Sequence, residues 1–134
     1  MTEVQKLANW VATRSYSNLS TDAVLALKIR LLDSLGCAIG ALKGKPVKML
    51  KEQLNDFGGN PLSGLIGGGK TAPDRAAFYN SALIRYLDFN DSYLAKNETC
   101  HPSDNIGSVL AAAEYAGKTG KDLLIAYANK NNLM

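Results

Sequence analysis

The fold is decided by the stretch Ser20–Leu42, which reads STDAVLALKIRLLDSLGCAIGAL. Ser20 or Thr21 can cap a helix here by accepting a free backbone N–H. Apolar residues then recur at helical spacing on two sides: Val24, Leu27, Leu31, Leu35 and Ala38 on one, and Leu25, Ile29, Leu32 and Ile39 on another. A helix that is apolar nearly all round is usually buried. We therefore expect a long central helix that is covered on every side.

Three glycines follow one face of this helix and its end. Gly36, Gly40 and Gly44 recur every four residues. An interior glycine costs a helix about 1 kcal/mol in propensity. We expect that a neighbouring backbone comes close along this face, which is what glycine permits.

Helical patterns also lie on both sides of the central segment. Capping boxes, in which residues three apart satisfy each other's free backbone groups, occur at Thr2–Gln5, Thr71–Asp74 and Thr119–Asp122. Two further helices should begin at Pro46 and at Ser103–Asp104, and glycines predict ends at 58–59 and 117. The expected buried stripes are Val47, Leu50, Leu54 and Phe57, and then Ala76, Ala77, Asn80, Leu83, Ile84 and Leu87.

These patterns predict an all-α fold, a compact bundle of five to six helices in a single domain over residues 1–134. Only Leu62–Ile66 could form a short extended piece, and Asp91–Pro102 should be a loop. Hydrophobic residues make up 46% of the chain and charged residues 20%, which is typical of a globular protein.

Composition also excludes several classes of function. The net charge of +3 comes from scattered basic residues without interleaved aromatics, which argues against nucleic-acid binding. No apolar run approaches the roughly 18 residues of a membrane span. Two cysteines, Cys37 and Cys100, with no signal-peptide pattern, predict a reduced cytoplasmic protein without a disulfide.

The segment Gly64–Thr71, GLIGGGKT, matches the phosphate-loop pattern G-x-x-x-x-G-K-[ST]. A true phosphate loop follows a buried strand and runs into a helix at its lysine. No apolar strand precedes Gly64, and Pro73 pushes Ala72 towards extended geometry. We favour a glycine-rich connection over a nucleotide-binding site.

Candidate chemistry lies between Asp88 and Asp104. Asp88 and Asp91 share a helical face if the helix persists that far, and the only histidine, His101, lies at the mouth of the next helix. A carboxylate beside an imidazole is a common pairing for moving protons. On the residues alone, we favour an interpretation without catalysis. Asp88 and Asp91 are then solvated carboxylates at a helix end, and His101 packs in a loop.

A metal site is not expected. Cys100, His101 and Asp104 are clustered, but they do not complete a four-ligand zinc site. Cys100 as a nucleophile activated by His101 is disfavoured because adjacent side chains in a loop usually diverge, and Cys37 is assigned to the core.

The same residues resemble the signature of the MmgE/PrpD family, over roughly residues 4–126. The matching segments, in order, are LDSLGCA at 32–38, AAFYNSAL at 76–83, YLDFND at 86–91, HPSDN at 101–105 and LAAAE at 110–114. These motif sequences are similar to the 2-methylcitrate dehydratase branch of the family rather than to its cis-aconitate decarboxylase branch.

The resemblance implies an N-terminal helical domain, a separate α+β lid domain and a substrate cleft between them, usually in a homodimer. It implies a hydro-lyase of propionate metabolism that acts on citrate-like tricarboxylates with no iron–sulfur cluster, so no cofactor is expected. Asp91 and His101 match the family's catalytic aspartate and histidine, and their roles as acid or base stay open. Ser103, Asn90 and Asp88 are candidate substrate-binding residues, with free N–H groups beside Ser103 cradling a carboxylate.

The chain departs from its relatives in length and in its few cationic anchors. The apolar stripe begun by Leu123, Leu124 and Tyr127 stops at Ala128–Met134. We expect a truncated piece that lacks the lid domain and is inactive alone, or is completed by a separate lid-domain polypeptide. The alternative is a non-catalytic helical module. Either is expected to form a homodimer through apolar surface that its missing partners would cover.

Overall fold

Six α-helices form most of residues 1–130, which are the part of the chain that the computed structural model describes. They are α1 (Glu3–Ala12), α2 (Thr21–Ala41), α3 (Lys45–Phe57), α4 (Pro73–Tyr86), α5 (Ile106–Tyr115) and α6 (Gly120–Lys130). Short 3-10 turns span Tyr16–Asn18 and Pro102–Asn105. The predicted all-α class is confirmed. The apolar stripe of α6 does not stop at Ala128, which is fully buried in the core, and the predicted polar end at 131–134 lies outside the described residues.

Two small antiparallel hairpins interrupt the helices. Strand β1 (Ser63–Gly64) pairs with β2 (Lys70–Thr71), and β3 (Tyr93–Ala95) pairs with β4 (Glu98–Cys100). The first hairpin includes part of the extended piece predicted at Leu62–Ile66. The second was not expected, because the segment Asp91–Pro102 has no alternation of apolar and polar residues to indicate strands.

The helix at the centre of the core is α4, which packs against α5, α2 and α3. Its predicted stripe is confirmed: Leu83 and Ile84 are fully buried, and Ala76 and Asn80 are buried beside them. Side chains from the other helices complete this core, namely Leu27, Ala38, Val47, Val109, Leu124 and Tyr127.

The helix α2 is buried on one side only, so the prediction of a helix covered all round is wrong. Its Leu27 and Ala38 side packs in the core, whereas four apolar residues on the other side are between 57% and 73% exposed: Leu25, Ile29, Leu32 and Ile39. We call these four the bare face of α2. Periodicity identified both apolar sides, but helices α4 and α6 contact only one of them. Phe57, expected on the buried side of α3, is also exposed.

Three predicted helix starts are confirmed by their hydrogen bonds. Thr2 and Gln5 form the capping box of α1, Ser20 Oγ accepts the Ala23 N–H of α2, and Thr119 and Asp122 bond each other at α6. The box at Thr71–Asp74 is wrong because Thr71 pairs with Ser63 in the β1–β2 hairpin, which leaves Ala72 as the cap of α4.

The predicted start of α5 at Ser103–Asp104 is also wrong. Those residues lie in the 3-10 turn that begins at Pro102, in which the Asp104 N–H donates to the His101 carbonyl three residues earlier. The α-helical pattern begins only at Ile106.

The glycine face of α2 meets side chains rather than a backbone. The Leu87 side chain lies against Gly40, and the Tyr86 ring lies 2.7 Å from where a Cβ on Gly44 would be. Gly36 faces open space. A close approach is therefore confirmed at Gly40 and Gly44. The prediction that a neighbouring backbone makes this approach is wrong, because side chains make it.

Within residues 1–130, none of the helices combines the length and the apolar character needed to cross a membrane.

Candidate functional site

The chain reaches the candidate site by a sharp turn after α4. Asp88 has a positive φ of 56°, so the helix does not continue and Asp91 does not lie on a helical face with Asp88. The Asp88 side chain is 75% exposed and pairs with Arg85 at 2.8 Å. The predicted two-carboxylate face is therefore wrong: Asp88 points to the outside while Asp91 turns inward.

The Asp91 carboxylate is bound on both of its oxygens. Arg30, from the buried half of α2, forms an ion pair with Oδ2, and the Ser103 backbone N–H donates to Oδ1 at 3.1 Å. The Asp91 side chain is only 17% exposed, so solvent weakens this charged pair less than it would at the surface. The predicted cradle for a substrate carboxylate is corrected here, because the Ser103 N–H is already donated to Asp91.

His101 contacts the main chain of Asp91 rather than its carboxylate. Its Nδ1 lies 2.8 Å from the Asp91 carbonyl oxygen and 3.4 Å from Ser92 Oγ. The two sequence-predicted catalytic residues, ten positions apart, are thus brought into direct contact. The direct carboxylate–imidazole hydrogen bond is not formed, because Arg30 and Ser103 hold the carboxylate.

Two buried polar side chains flank the site, Asn90 and Ser103, and both are at most 8% exposed. The Ser103 hydroxyl has no hydrogen-bond partner among residues 1–130, and the Asn90 amide faces the Cys37 thiol, which is a weak hydrogen-bonding group. Buried polar groups are nearly always satisfied, since leaving one unpaired costs about 1–3 kcal/mol. These two side chains therefore favour a polar ligand or solvent at this place.

Tyr127 of α6 closes the inner side of the site. It is 1% exposed, and burial raises the pKa of its phenol to about 12, with the Asp91 charge adding to the rise and the Arg30 charge opposing it. Burial likewise raises the pKa of the Cys37 thiol, and the charge of Asp33 adds to this rise. The side chain of Asn90 lowers the pKa by hydrogen bonding to the thiol. Both groups are therefore neutral near pH 7.

Sequence reasoning missed Arg30 and Tyr127. Arg30 had one signal, since it stands between Ile29 and Leu31 in an otherwise apolar stretch. Tyr127 had none beyond its place in the α6 stripe. Nothing in the sequence around Arg30 or Asp91 indicates that these two residues, 61 positions apart, form an ion pair.

The cysteines and acidic groups form no metal centre in the described part of the chain, where no three of the residues His, Cys, Asp and Glu are grouped to hold an ion. Cys37 is buried, which confirms its assignment to the core. Cys100 is exposed at the end of β4.

The GLIGGGKT motif folds as the β1–β2 hairpin rather than as a strand-to-helix loop. Four of its backbone donors are already used. The Gly64 N–H donates to Glu114 Oε2 at 2.5 Å, and the Ile66 N–H donates to Asn80 Oδ1 at 2.9 Å. Within the loop, the N–H groups of Leu65 and Gly68 donate to backbone carbonyls. The Glu114 carboxylate lies against Gly64, the first residue of the motif, and its negative charge repels anions.

We accordingly expect no binding of Mg-ATP at this hairpin. Isothermal titration should give only the heat of dilution for the unmodified chain and for Lys70→Ala alike. Micromolar binding that Lys70→Ala abolishes would show that the hairpin rearranges into a phosphate site.

Proteins of several organisms are similar to this chain. The family model described as the MmgE/PrpD N-terminal domain matches residues 5–129. The 2-methylcitrate dehydratase of Salmonella typhi is 41% identical over 90 residues, 66% of this chain and 18% of the relative. A probable 2-methylcitrate dehydratase of Saccharomyces cerevisiae is 35% identical over 119 residues (81% and 22%), and the mitochondrial 2-methylcitrate dehydratase of Yarrowia lipolytica is 34% identical over 127 residues (88% and 22%). The chain spans about a fifth of the length of these relatives.

Proposed function

Because this chain belongs to the MmgE/PrpD family, we propose that it forms the N-terminal helical part of a hydro-lyase that dehydrates a 2-methylcitrate-like tricarboxylate. The observation that carries the proposal is the contact between Asp91 and His101 beside buried polar groups with unused hydrogen-bonding capacity. The names of the relatives supply the substrate class. On this basis the protein acts in propionate metabolism and in the cytoplasm, where unpaired thiols such as Cys37 and Cys100 persist.

The reaction needs two proton transfers. A C–H bond next to a carboxylate gives its proton to a base, a C=C bond forms, and the hydroxyl on the neighbouring carbon leaves as water after it receives a proton from an acid. Asp91 and His101 are the pair that we assign to these transfers. No metal or cofactor is part of the proposal.

Substrate binding is assigned to Asn90 and Ser103. The Asn90 amide can donate and accept, and the Ser103 hydroxyl can do the same, so both suit the carboxylates and the hydroxyl of the substrate. Asp88, the third predicted binding residue, finds no support in its placement, because its exposed carboxylate is paired with Arg85 and would repel an anionic substrate.

The test is a chimera in which this chain replaces the matching N-terminal segment of the Salmonella typhi dehydratase, since the isolated chain is expected to lack activity. Formation of the unsaturated product from 2-methylcitrate is followed by ultraviolet absorbance. We expect an active chimera in which His101→Ala or Asp91→Asn lowers kcat by about 100-fold or more. Asp56→Asn, an exposed change on α3, is the matched control. Full activity of His101→Ala would exclude the assignment.

The bare face of α2 supports a second proposal, self-association, which would hold for a non-catalytic module as well as for the enzyme. The α1 helix adds to the uncovered apolar surface, since it buries no side chain and its Val4 and Leu7 are more than half exposed. Uncovered patches of this kind usually mark interaction surfaces.

Sedimentation velocity at micromolar concentration tests the association. We expect a homodimer that Leu32→Asp dissociates, because the substitution places a charge in the centre of the bare face, whereas Lys28→Asp on the same helix leaves it associated. A single species of 14.3 kDa for the unmodified chain would rule the dimer out.

A further inference from the structure

His101 is held in a geometry that selects one of its two neutral forms. Its Nδ1 lies 2.8 Å from the Asp91 carbonyl oxygen. A carbonyl oxygen can only accept a hydrogen bond, so Nδ1 must carry the proton, and the lone pair of the neutral ring is then on Nε2. Ser92 Oγ, at 3.4 Å, is too distant to compete with the carbonyl.

The position of that carbonyl depends on the Asp91 side chain. Arg30 binds the carboxylate from α2, and the Ser103 N–H binds it from the 3-10 turn that follows His101. The two contacts fix the beginning and the end of the segment 91–103, which otherwise leaves the bundle as the exposed β3–β4 hairpin. Of the two, the contact with Arg30 joins this segment to the helical core.

We propose that Arg30 is a positioning residue, which acts through Asp91 to fix His101 with its proton on Nδ1 and a free lone pair on Nε2. The inference rests on the proposed function only for the use made of this nitrogen: His101 Nε2 is then the base that takes the carbon-bound proton. Asp91 orients the ring through its backbone carbonyl.

Arginine suits this role better than lysine does. Its planar guanidinium presents a fixed fork of donors, whereas the lysine ammonium is a point charge on a flexible stem. When Arg30 is removed, the Ser103 N–H alone holds the carboxylate, and the carbonyl is no longer fixed against the ring. The histidine then reverts to the form that predominates in water, with the proton on Nε2.

The test is the form of the ring, read from long-range ¹H–¹⁵N correlation spectra of the labelled full chain at a pH where the spectra themselves show the neutral ring. The chain has one histidine, so one set of ring signals is observed. We expect a protonated Nδ1 and a bare Nε2 in the unmodified protein. Arg30→Met should shift the population to the Nε2–H form, and Arg30→Lys should restore the original form in part.

Controls separate this role from a general loss of structure. Lys28→Met changes an exposed cation on the same helix and should leave the ring signals unchanged. Asp91→Asn keeps the carbonyl but loses the ion pair, so it should behave as Arg30→Met does. Backbone amide spectra report whether each variant is folded.

Two outcomes would overturn the proposal. One is an Nε2–H ring in the folded unmodified protein, which needs no variant to be observed. The other is an unchanged ring in a folded Arg30→Met or Asp91→Asn variant. The measurement needs no substrate, so an inactive chimera with an Nδ1–H ring would defeat the proposed function and leave the role of Arg30 in place.

Discussion

Replacing Gly107 with alanine is expected to lower the free energy of unfolding by about 3 kcal/mol. Gly107 lies in the first turn of α5, where this helix crosses α4. An added Cβ would lie 2.3 Å from Ser81 Oγ, 2.5 Å from Ser81 N and 3.0 Å from Ala77 O. Two of these atoms belong to the backbone of α4 and cannot turn aside, so the two helices must move apart in the middle of the core.

The matched control is Gly36→Ala, in the exposed part of α2. No atom lies within 4 Å of the new methyl group there, and alanine is the better helix former by about 1 kcal/mol. The midpoint of urea unfolding should therefore be lower for Gly107→Ala and higher for Gly36→Ala than for the unmodified protein. Equal midpoints for Gly107→Ala and the unmodified protein would mean that α4 and α5 are not packed as described.

Alkaline pH should destabilise the fold through Tyr127. Its pKa of about 12 in the folded chain compares with an ordinary value of 10, so the folded state retains the phenolic proton more strongly than the unfolded state does. The resulting stability is complete below pH 10 and is lost as the pH rises towards 12. Two pKa units correspond to roughly 2–3 kcal/mol.

Tyr127→Phe should remove most of this pH dependence. The difference in unfolding free energy between the unmodified protein and the variant is measured by urea unfolding at several values from about pH 9 to pH 12. The raised pKa values of Cys37 and Tyr79 contribute equally to both proteins and cancel. Tyr115→Phe, at an exposed position, should keep the pH dependence of the unmodified protein. The prediction would be contradicted if the free energy of unfolding fell equally with rising pH in Tyr127→Phe and in the unmodified protein.

Local features of this fold could be predicted from the sequence because they depend on residues within one helical turn. The cap at Ser20 and the box at Thr119–Asp122 need only neighbours three positions away. Thr71–Asp74 has the same residue types at the same spacing, yet its capping box does not form. The backbone of Thr71 instead pairs with Ser63, eight residues earlier. A pattern of caps therefore predicts a helix start only where no strand competes for the same residues.

The candidate site was predictable in some of its residues but not in its connections. The motif resemblance pointed to Asp91 and His101, which do contact each other. It could not indicate that the contact uses a backbone carbonyl, since this depends on where α4 stops and on the left-handed turn at Asp88. The bare face of α2 was equally hidden, because periodicity shows which residues are apolar but not how many helices are present to cover them.

The difference between the two cysteines makes the site open to selective labelling. Cys100 is exposed immediately before His101, whereas Cys37 is buried and burial raises its thiol pKa, which lowers the fraction of reactive thiolate. A maleimide fluorophore should therefore attach at Cys100 in the folded chain without any substitution. Its emission would report ligand binding beside His101 in proteins that have no measurable turnover.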